Sequence, residues 1–398
     1  MSESKTFCMM PWVHMHLWPA GYTYPCCMSD PDLPIGNTQN QSLQDIWNGE
    51  EMRKIRMNML QDKKSPECRR CYELEENGMW TLRKSSNENF KHHQSKVEQT
   101  SDDGSAGDVN MAYMDIRFSN LCNLKCRSCG PQFSSSWFED HKATHGDPGH
   151  PKILQVRDDM LSFMDELDPL LESVERVYWA GGEPLITKEH YDILDKWISM
   201  DKRDVKMDYT TNFTQMFYKR KTAFEYWNSF EHVRVAASLD ANHARGEYLR
   251  KNMDWAQVVQ NRRDMIEQCP HVYFEITPTV SVYNVLNLPD FHREWIEEGL
   301  LEPQNIRINI LLDPTYMRLS ILPPEKKDTI RFRYTEHLKY LDQFDNIQQV
   351  KNDYESILKF LNNDNSNETN VFLYKTSKVD MLRKENVFDV FPELKGIR

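Results

Sequence analysis

The sequence predicts an α/β fold: a parallel βα sheet closed or partly closed into a barrel, with a small hairpin-plus-helix module before it and a helical extension after it. Three observations carry this expectation. Short β-rich runs alternate with helical stretches between residues 111 and 312. Cysteines gather on a hairpin and a turn before residue 72. From about Pro324 the chain becomes polar and helical, with no chemistry legible in it.

In chain order, Trp12 to Pro25 (WVHMHLW-PAG-YTYP) alternates side-chain types around a Pro-Ala-Gly turn and reads as a β-hairpin. Cys8 precedes its first arm and Cys26 follows its second, so the open end brings two thiols together. Ser42 and Asp45 have the spacing of a capping box. Leu43, Ile46, Trp47, Met52, Ile55 and Met59 recur at helical intervals, with a break expected near Gly49. Cys68-x-x-Cys71 follows on a turn. Residues 85–110 hold only Phe90, Val97, Ala106 and Val109 as apolar positions and read as a solvated linker. The expected organisation is therefore a cluster module over 1–84, a polar linker over 85–110, a barrel over 111–323 and a helical extension over 324–398.

Within the barrel region six strands are expected: MAYMDIRFS, VERVYWAG, VKMDYTT, VRVAASLD, VYFEITPTV and IRINILL. Helices near 153–171, 188–199, 222–229, 253–268 and 288–298 separate them. In such folds, function sits at the C-terminal ends of the strands.

A chain of 398 residues, 39% hydrophobic and 28% charged, is long enough for one large core plus an accessory module, which excludes a disordered or fibrous protein. With 49 Lys+Arg against 61 Asp+Glu, the net charge of −12 argues against a nucleic-acid partner, since phosphate binding needs clustered cations. No apolar run approaches membrane-spanning length, and the N-terminus lacks the pattern of a signal peptide, so a cytoplasmic location is expected. That compartment keeps thiols reduced. Nine cysteines there, five before residue 72, three between 122 and 129, and Cys269 alone, point to metal instead of disulfides.

The strongest signal is Cys122-Asn-Leu-Lys-Cys126-Arg-Ser-Cys129, directly after the first expected barrel strand. Thiolates suit zinc or iron–sulfur clusters. Three ligands within eight residues are awkward for structural zinc, which wants a closed tetrahedron, whereas an iron–sulfur cube tolerates an open corner. Here the sequence resembles the radical S-adenosylmethionine (radical SAM) enzymes, whose motif is this loop after the first strand of a partial (β/α)6 barrel. The resemblance implies that Cys122, Cys126 and Cys129 hold a [4Fe–4S] cluster whose open iron chelates SAM. One electron then cleaves SAM to methionine and a 5′-deoxyadenosyl radical, which abstracts hydrogen from a substrate. Ser128 departs from the family, which usually has an aromatic residue before the third cysteine.

Gly181-Gly182-Glu183-Pro184, after the second strand, resembles the family's GGEP motif for the SAM amino group; two glycines let backbone carbonyls approach a cation closely. The third strand ends in Thr-Thr-Asn212, where many members have Thr-Asn-Gly and this chain has Phe213. By the same resemblance Asn212 is a SAM-site residue, Ser238 contacts the ribose or carboxylate, and Arg250 contacts the carboxylate. Thr277-Pro-Thr279-Val280-Ser281 borders the adenine by position.

Cys8, Gly21, Cys26 and Cys68-x-x-Cys71, with the helical segment between them, resemble the auxiliary-cluster modules called SPASM and twitch. The resemblance implies a second [4Fe–4S] cluster on Cys8, Cys26, Cys68 and Cys71, in the shorter twitch form, placed before the barrel instead of after it. A four-cysteine zinc site is the alternative. His14 and His16 alternate on the hairpin as packing or surface residues, and Cys27 and Cys269 receive no firm role.

The implied function is a radical SAM oxidoreductase acting on a peptide or protein, with dehydrogenation or epimerisation of a small molecule as the second reading. A non-catalytic iron–sulfur electron carrier and an RNA-modifying enzyme are distant alternatives. A low-potential electron donor such as flavodoxin or ferredoxin is the implied partner, with no membrane.

Overall fold

The computed structural model describes residues 4–397. His14–Leu17 (β1) and Tyr22–Tyr24 (β2) pair antiparallel, as the hairpin pattern predicts, with His16 opposite Tyr24. The turn between them places Ala20 at φ 70° and Gly21 at φ 86°. Gly21 also lies so close to the chain that a Cβ would meet Asn37 Oδ1 at 2.3 Å. The first arm is shorter than expected, because Met10–Val13 is a helical turn: Pro11 at its start presets a helical φ. Gly36–Asn37 (β3) pairs with β2. Leu43–Trp47 and Glu50–Leu60 are helices separated at Asn48 and Gly49, and the Ser42/Asp45 capping box forms in both directions.

Residues read as a polar linker carry helices Leu82–Asn89 and Gln94–Glu98, with Phe90, Val97 and Ser86 buried. The polar composition misleads because some of these side chains serve the chain's own backbone: Asn87 Nδ2 donates to Phe7 O at 3.0 Å, and Met9 N donates to Asn87 Oδ1 at 2.8 Å.

The next five sheet strands are Tyr113–Ile116 (β4), Arg176–Trp179 (β5), Lys206–Thr211 (β6), Val233–Ala237 (β7) and Tyr273–Ile276 (β8). The eight-stranded sheet runs β8-β7-β6-β5-β4-β1-β2-β3. β1 pairs parallel to β4, β4 to β5 and β7 to β8. The hairpin is therefore continuous with the sheet.

The sixth expected run lies parallel beside the continuation of β8. Ile276 N donates to Asn305 O, Arg307 N to Ile276 O, Asn309 N to Pro278 O and Leu311 N to Val280 O. Pro278 has no N–H to return, so the ladder is interrupted and only Thr279–Val280 with Asn309–Ile310 forms a regular pair. Helices Met160–Leu167, Lys188–Ser199, Ala223–Trp227, Trp255–Gln268 and Leu288–Glu297 occupy the expected intervals. The extension is helical over Pro324–Leu341, Gln348–Phe360 and Thr369–Arg383.

The chain forms two compact units. One comprises Met1–Leu121, Ile153–Asp208 and Ser229–His232; the other comprises Cys122–Lys152, Tyr209–Asn228 and Val233–Arg398. Among the described residues no helix is long and apolar enough to cross a membrane.

Candidate metal centres

The three-cysteine loop belongs to the second unit. Its backbone is held by hydroxyls that follow it in sequence: Cys122 N donates to Ser135 Oγ at 3.2 Å, Ser136 Oγ donates to Cys122 O at 2.7 Å, and Ser134 Oγ donates to Leu124 O at 2.6 Å. Trp137 Nε1 donates to Cys126 O at 2.6 Å. Cys126 pairs across a short antiparallel bridge with Arg250. Arg250 Nη1 lies 3.5 Å from Cys126 Sγ, while its Nε and Nη2 hold both oxygens of Asp240 at 2.9 and 3.0 Å. Asn212 Nδ2 lies 3.9 Å from Cys122 Sγ and 2.8 Å from Asn123 Oδ1. Burial pushes the Cys126 thiol up, with the Arg250 guanidinium opposing it, and burial with the neighbouring Cys126 pushes Cys129 up to about 12. A thiol whose pKa is raised in this way becomes a thiolate when a metal cation joins it.

Phe213, where the resemblance has glycine, sits at φ 59°. Its N–H donates to Thr211 Oγ1 at 3.0 Å and its ring packs 5.2 Å from that of Phe274. Ser238 ends β7 half-buried, its N–H donating to Thr211 O at 2.8 Å. Ser128, Asp240, Thr279 and Ser281 line one small cavity. A larger cavity of about 200 Å³ is lined by Arg127, Cys129, Trp137, Tyr283, Tyr316 and Lys375 among others. Arg127, Tyr283 and Met317 wall both cavities, so Ser128 and Cys129 open onto adjoining space.

The Gly-Gly-Glu-Pro turn lies in the first unit. Gly182 N donates to Ser119 O at 3.1 Å and Glu183 N to Leu121 O at 2.8 Å, pinning the turn to the residues just before Cys122 in the chain. Gly181 has φ 125°, and a Cβ on Gly182 would stand 2.1 Å from Leu121 O. Glu183 is buried and its Oε1 accepts from Leu185 N at 3.1 Å, so the carboxylate caps the Pro184–Ile186 turn.

The four N-terminal thiols also share the first unit. Burial comes first in raising each of them. The charge of Cys71 adds to it at Cys8, which reaches about 12, Cys27, Cys68 and Cys8 add to it at Cys26, and Cys8 and Cys71 add to it at Cys68. Cys8 and Cys71 are buried and Cys26 and Cys68 half-buried, with Cys68 closing one turn and Cys71 in the helix that follows it. The Cys8 loop is braced by Arg83, which donates to Phe7 O at 2.7 Å and pairs with Glu75.

Three features were not foreseen from sequence. Arg127, between the second and third cysteines, is buried and bonded to Asp380 at 2.5 Å and Glu385 at 2.6 Å, and lies 3.6 Å over the Tyr248 ring. Lys125 and Arg383 share Asp140 at 2.7 and 2.9 Å. The extension thus clamps the cysteine loop, and nothing in the spacing of Asp380, which lies 253 residues from Arg127, signals it. The third feature lies in the first unit: Asp115 bonds His16 at 2.9 Å and Arg117 at 2.8 Å, with Arg117 over the Tyr178 ring. Both hairpin histidines are buried, in keeping with the packing half of the expectation: His16 is hydrogen-bonded to Asp115, and His14 Nδ1 lies 2.9 Å from Tyr113 O. Cys27, exposed beside this pair, is raised to about 11 by the surrounding protein and by Asp115. Cys269 is buried, its Sγ 3.4 Å from Phe224 O, in the packing role of a small apolar residue.

No curated protein matches the sequence. Solved structures similar to it include native anSMEcpe with bound AdoMet, at 17% identity over 56% of this chain and 60% of that one, with a TM-score of 0.37. Streptococcus suis SuiB bound to precursor peptide SuiA is 16% identical over 75% of this chain and 60% of that one, TM-score 0.37. TYW1 with a lysine-pyruvate adduct bound is 12% identical over 56% and 70%, TM-score 0.30. The chain covers about 60% of the length of the first two, and likeness at this level carries neither activity nor substrate across. The N-terminal thiols have a firmer counterpart: residues 8–72, which contain Cys8, Cys26, Cys68 and Cys71, match the family model of SPASM, an iron–sulfur cluster-binding domain.

Proposed function

We propose that the chain is a radical SAM oxidoreductase with an auxiliary iron–sulfur cluster, acting on a peptide or protein substrate. The observation that carries this reading is the Cys122–Cys129 loop, whose backbone bonds the serines that follow it while Asn212, at the end of β6, and Arg250, after the helix His243–Leu249, reach the sulfurs of Cys122 and Cys126. Cys122, Cys126 and Cys129 would hold one [4Fe–4S] cluster, and Cys8, Cys26, Cys68 and Cys71 the second, in the module matched as SPASM. A cluster held by Cys122, Cys126 and Cys129, once reduced by a low-potential electron donor, would supply the electron that cleaves the sulfonium of bound SAM.

The chain's own residues bind, orient and exclude water. Gly181 and Gly182 present backbone to the SAM amino group because neither carries a side chain in a turn already packed on Leu121. Glu183 and Pro184 keep that turn in shape. Ser238, half-buried just after β7, would contact the ribose or carboxylate. Arg250 is divided between Asp240 and Cys126, so its first role is to place a positive charge at the cluster sulfur, and its remaining donor capacity serves the SAM carboxylate. Tyr283, Tyr316 and Trp137 beside Cys129 offer the flat aromatic faces that Ser128 does not.

The substrate assignment rests on the resemblance and on the auxiliary module. A small molecule undergoing dehydrogenation or epimerisation would use the same centres. The test is anaerobic: chemically reduced enzyme should convert SAM to 5′-deoxyadenosine without substrate, Cys126→Ala should abolish this, and Cys68→Ala should impair substrate turnover more than SAM cleavage. Sustained SAM cleavage by the Cys126 variant would overturn the assignment.

A further inference from the structure

Two adjacent histidines and one carboxylate form a second kind of donor set, free of sulfur and outside the proposed catalytic machinery. His92 and His93 lie in the single turn Lys91–His93 that follows the helix Leu82–Asn89. Consecutive side chains normally diverge, yet here both Nε2 atoms converge on one carboxylate: His92 Nε2 is 2.8 Å from Glu175 Oε2, and His93 Nε2 is 2.8 Å from Glu175 Oε1. One ligand atom from each of the three residues lies within 4.8 Å of the other two. The rings sit 4.3 Å apart, and each is 6.5 Å from Phe90, which is buried beneath them.

The carboxylate is rigidly rooted. Glu175 N donates to Ala112 O at 2.8 Å and Lys206 N donates to Glu175 O at 2.9 Å, which fixes the residue at the entrance of β5. The nearest strong cation in sequence, Arg176, is taken by Asp208 at 2.7 Å. The site is open to solvent on one side, with side-chain exposures of 53% for His92, 17% for His93 and 42% for Glu175.

We infer that His92, His93 and Glu175 bind a divalent transition ion, with zinc as the ion best matched to two imidazoles and a carboxylate. Metal–ligand bonds of about 2.0–2.2 Å place tetrahedral ligand atoms roughly 3.4 Å apart, so three ligand atoms already within 4.8 Å of one another need only side-chain shifts to meet one ion. Water from the exposed side would complete the shell. Glu175 stands at the N-terminal end of its strand, and strand chemistry in such folds belongs to the opposite ends, so the ion acts as a clip. It ties the Lys91–His93 turn to the sheet. The proposal does not depend on the radical SAM reading.

The test uses protein whose iron–sulfur sites have been filled, so that thiols do not compete. Calorimetric titration with zinc chloride should show one equivalent bound per chain, weakened about tenfold or more by His92→Ala, His93→Ala or Glu175→Gln, with iron content unchanged. Cobalt in place of zinc should give visible ligand-field bands without a thiolate charge-transfer band. Zinc should raise the melting temperature of the wild type and leave that of His92→Ala unmoved. Absence of a zinc equivalent in the wild type, equal affinity in all three variants, or a thiolate band with cobalt would each overturn the inference.

Discussion

Gly182 shows how closely one residue is specified. A methyl group there would stand 2.1 Å from Leu121 O, and backbone, unlike a flexible side chain, cannot swing aside. Gly182→Ala should therefore cost about 1–3 kcal/mol, the range for overpacking, and lower the midpoint of thermal unfolding while reducing SAM cleavage. An unchanged midpoint would mean that the turn is slack. Arg250 carries the opposite kind of specification, through donors instead of space. Its fork holds both oxygens of Asp240 and still reaches Cys126 Sγ, a pattern lysine lacks. Arg250→Lys should keep the charge yet lose the fork, and iron bound at the barrel cysteines should become more easily removed by chelator than in the wild type. Equal chelator resistance would reduce Arg250 to a bystander. Phe213 illustrates a residue the sequence marks without explaining: glycine was the expected occupant, the backbone takes the left-handed φ glycine favours, and the buried packing of the ring on Phe274 offsets that cost.

At the level of elements, helix Thr369–Arg383 and the residues after it hold the cysteine loop through two ion-pair groups, Arg127 with Asp380 and Glu385, and Lys125 with Asp140 and Arg383. Asp380→Asn removes one of the two carboxylates on a buried guanidinium that Glu385 still meets, so it should cost less than the about 3–5 kcal/mol of breaking a buried pair outright. A double-mutant cycle with Arg127→Met should show coupling, and barrel-site iron should fall while N-terminal iron stays. Additive effects would dissolve the clamp. The helix Leu82–Asn89 plays the matching part for Cys8. Replacing Arg83 with Met should loosen the Cys8 loop and lower N-terminal iron while SAM cleavage persists; loss of both together would show that the two centres are not independent. These braces explain what was legible. Hairpin, capping box and strand–helix alternation are local patterns, and each forms, the hairpin with a first arm cut short by the turn Met10–Val13. The helices inside 85–110 and the Arg127 clamp depend on polar residues meeting partners far away in sequence, which neither periodicity nor composition encodes. The partner of His16 was hidden for the same reason: the parallel register of β1 with β4 brings it to Asp115.

Across the whole molecule, buried histidines set the acid limit of the fold. Burial lowers His14 to about 4, His190 and His292 to about 3, and His337 to about 2, against an ordinary value near 6.5. A depressed pKa means the fold favours the neutral ring. That stability is complete above pH 6.5 and is lost progressively as pH falls toward 4 and below. Urea midpoints should be flat between about pH 7 and 8 and drop below 6.5. His190→Gln should shallow the slope by up to about 1.4 kcal/mol per pH unit, and an unchanged slope would assign the acid response to other groups. The nine cysteines divide likewise at this scale, three on the Cys122–Cys129 loop, five in the segment matched as SPASM, of which Cys27 is not among the proposed ligands, and Cys269 alone. Iron per chain after anaerobic reconstitution tests that division most directly. The two-cluster account predicts about eight irons in the wild type and about four when Cys122, Cys126 and Cys129 are all replaced by alanine. A wild-type count near four with zinc at the N-terminal thiols, or a triple variant that keeps all its iron, would contradict it.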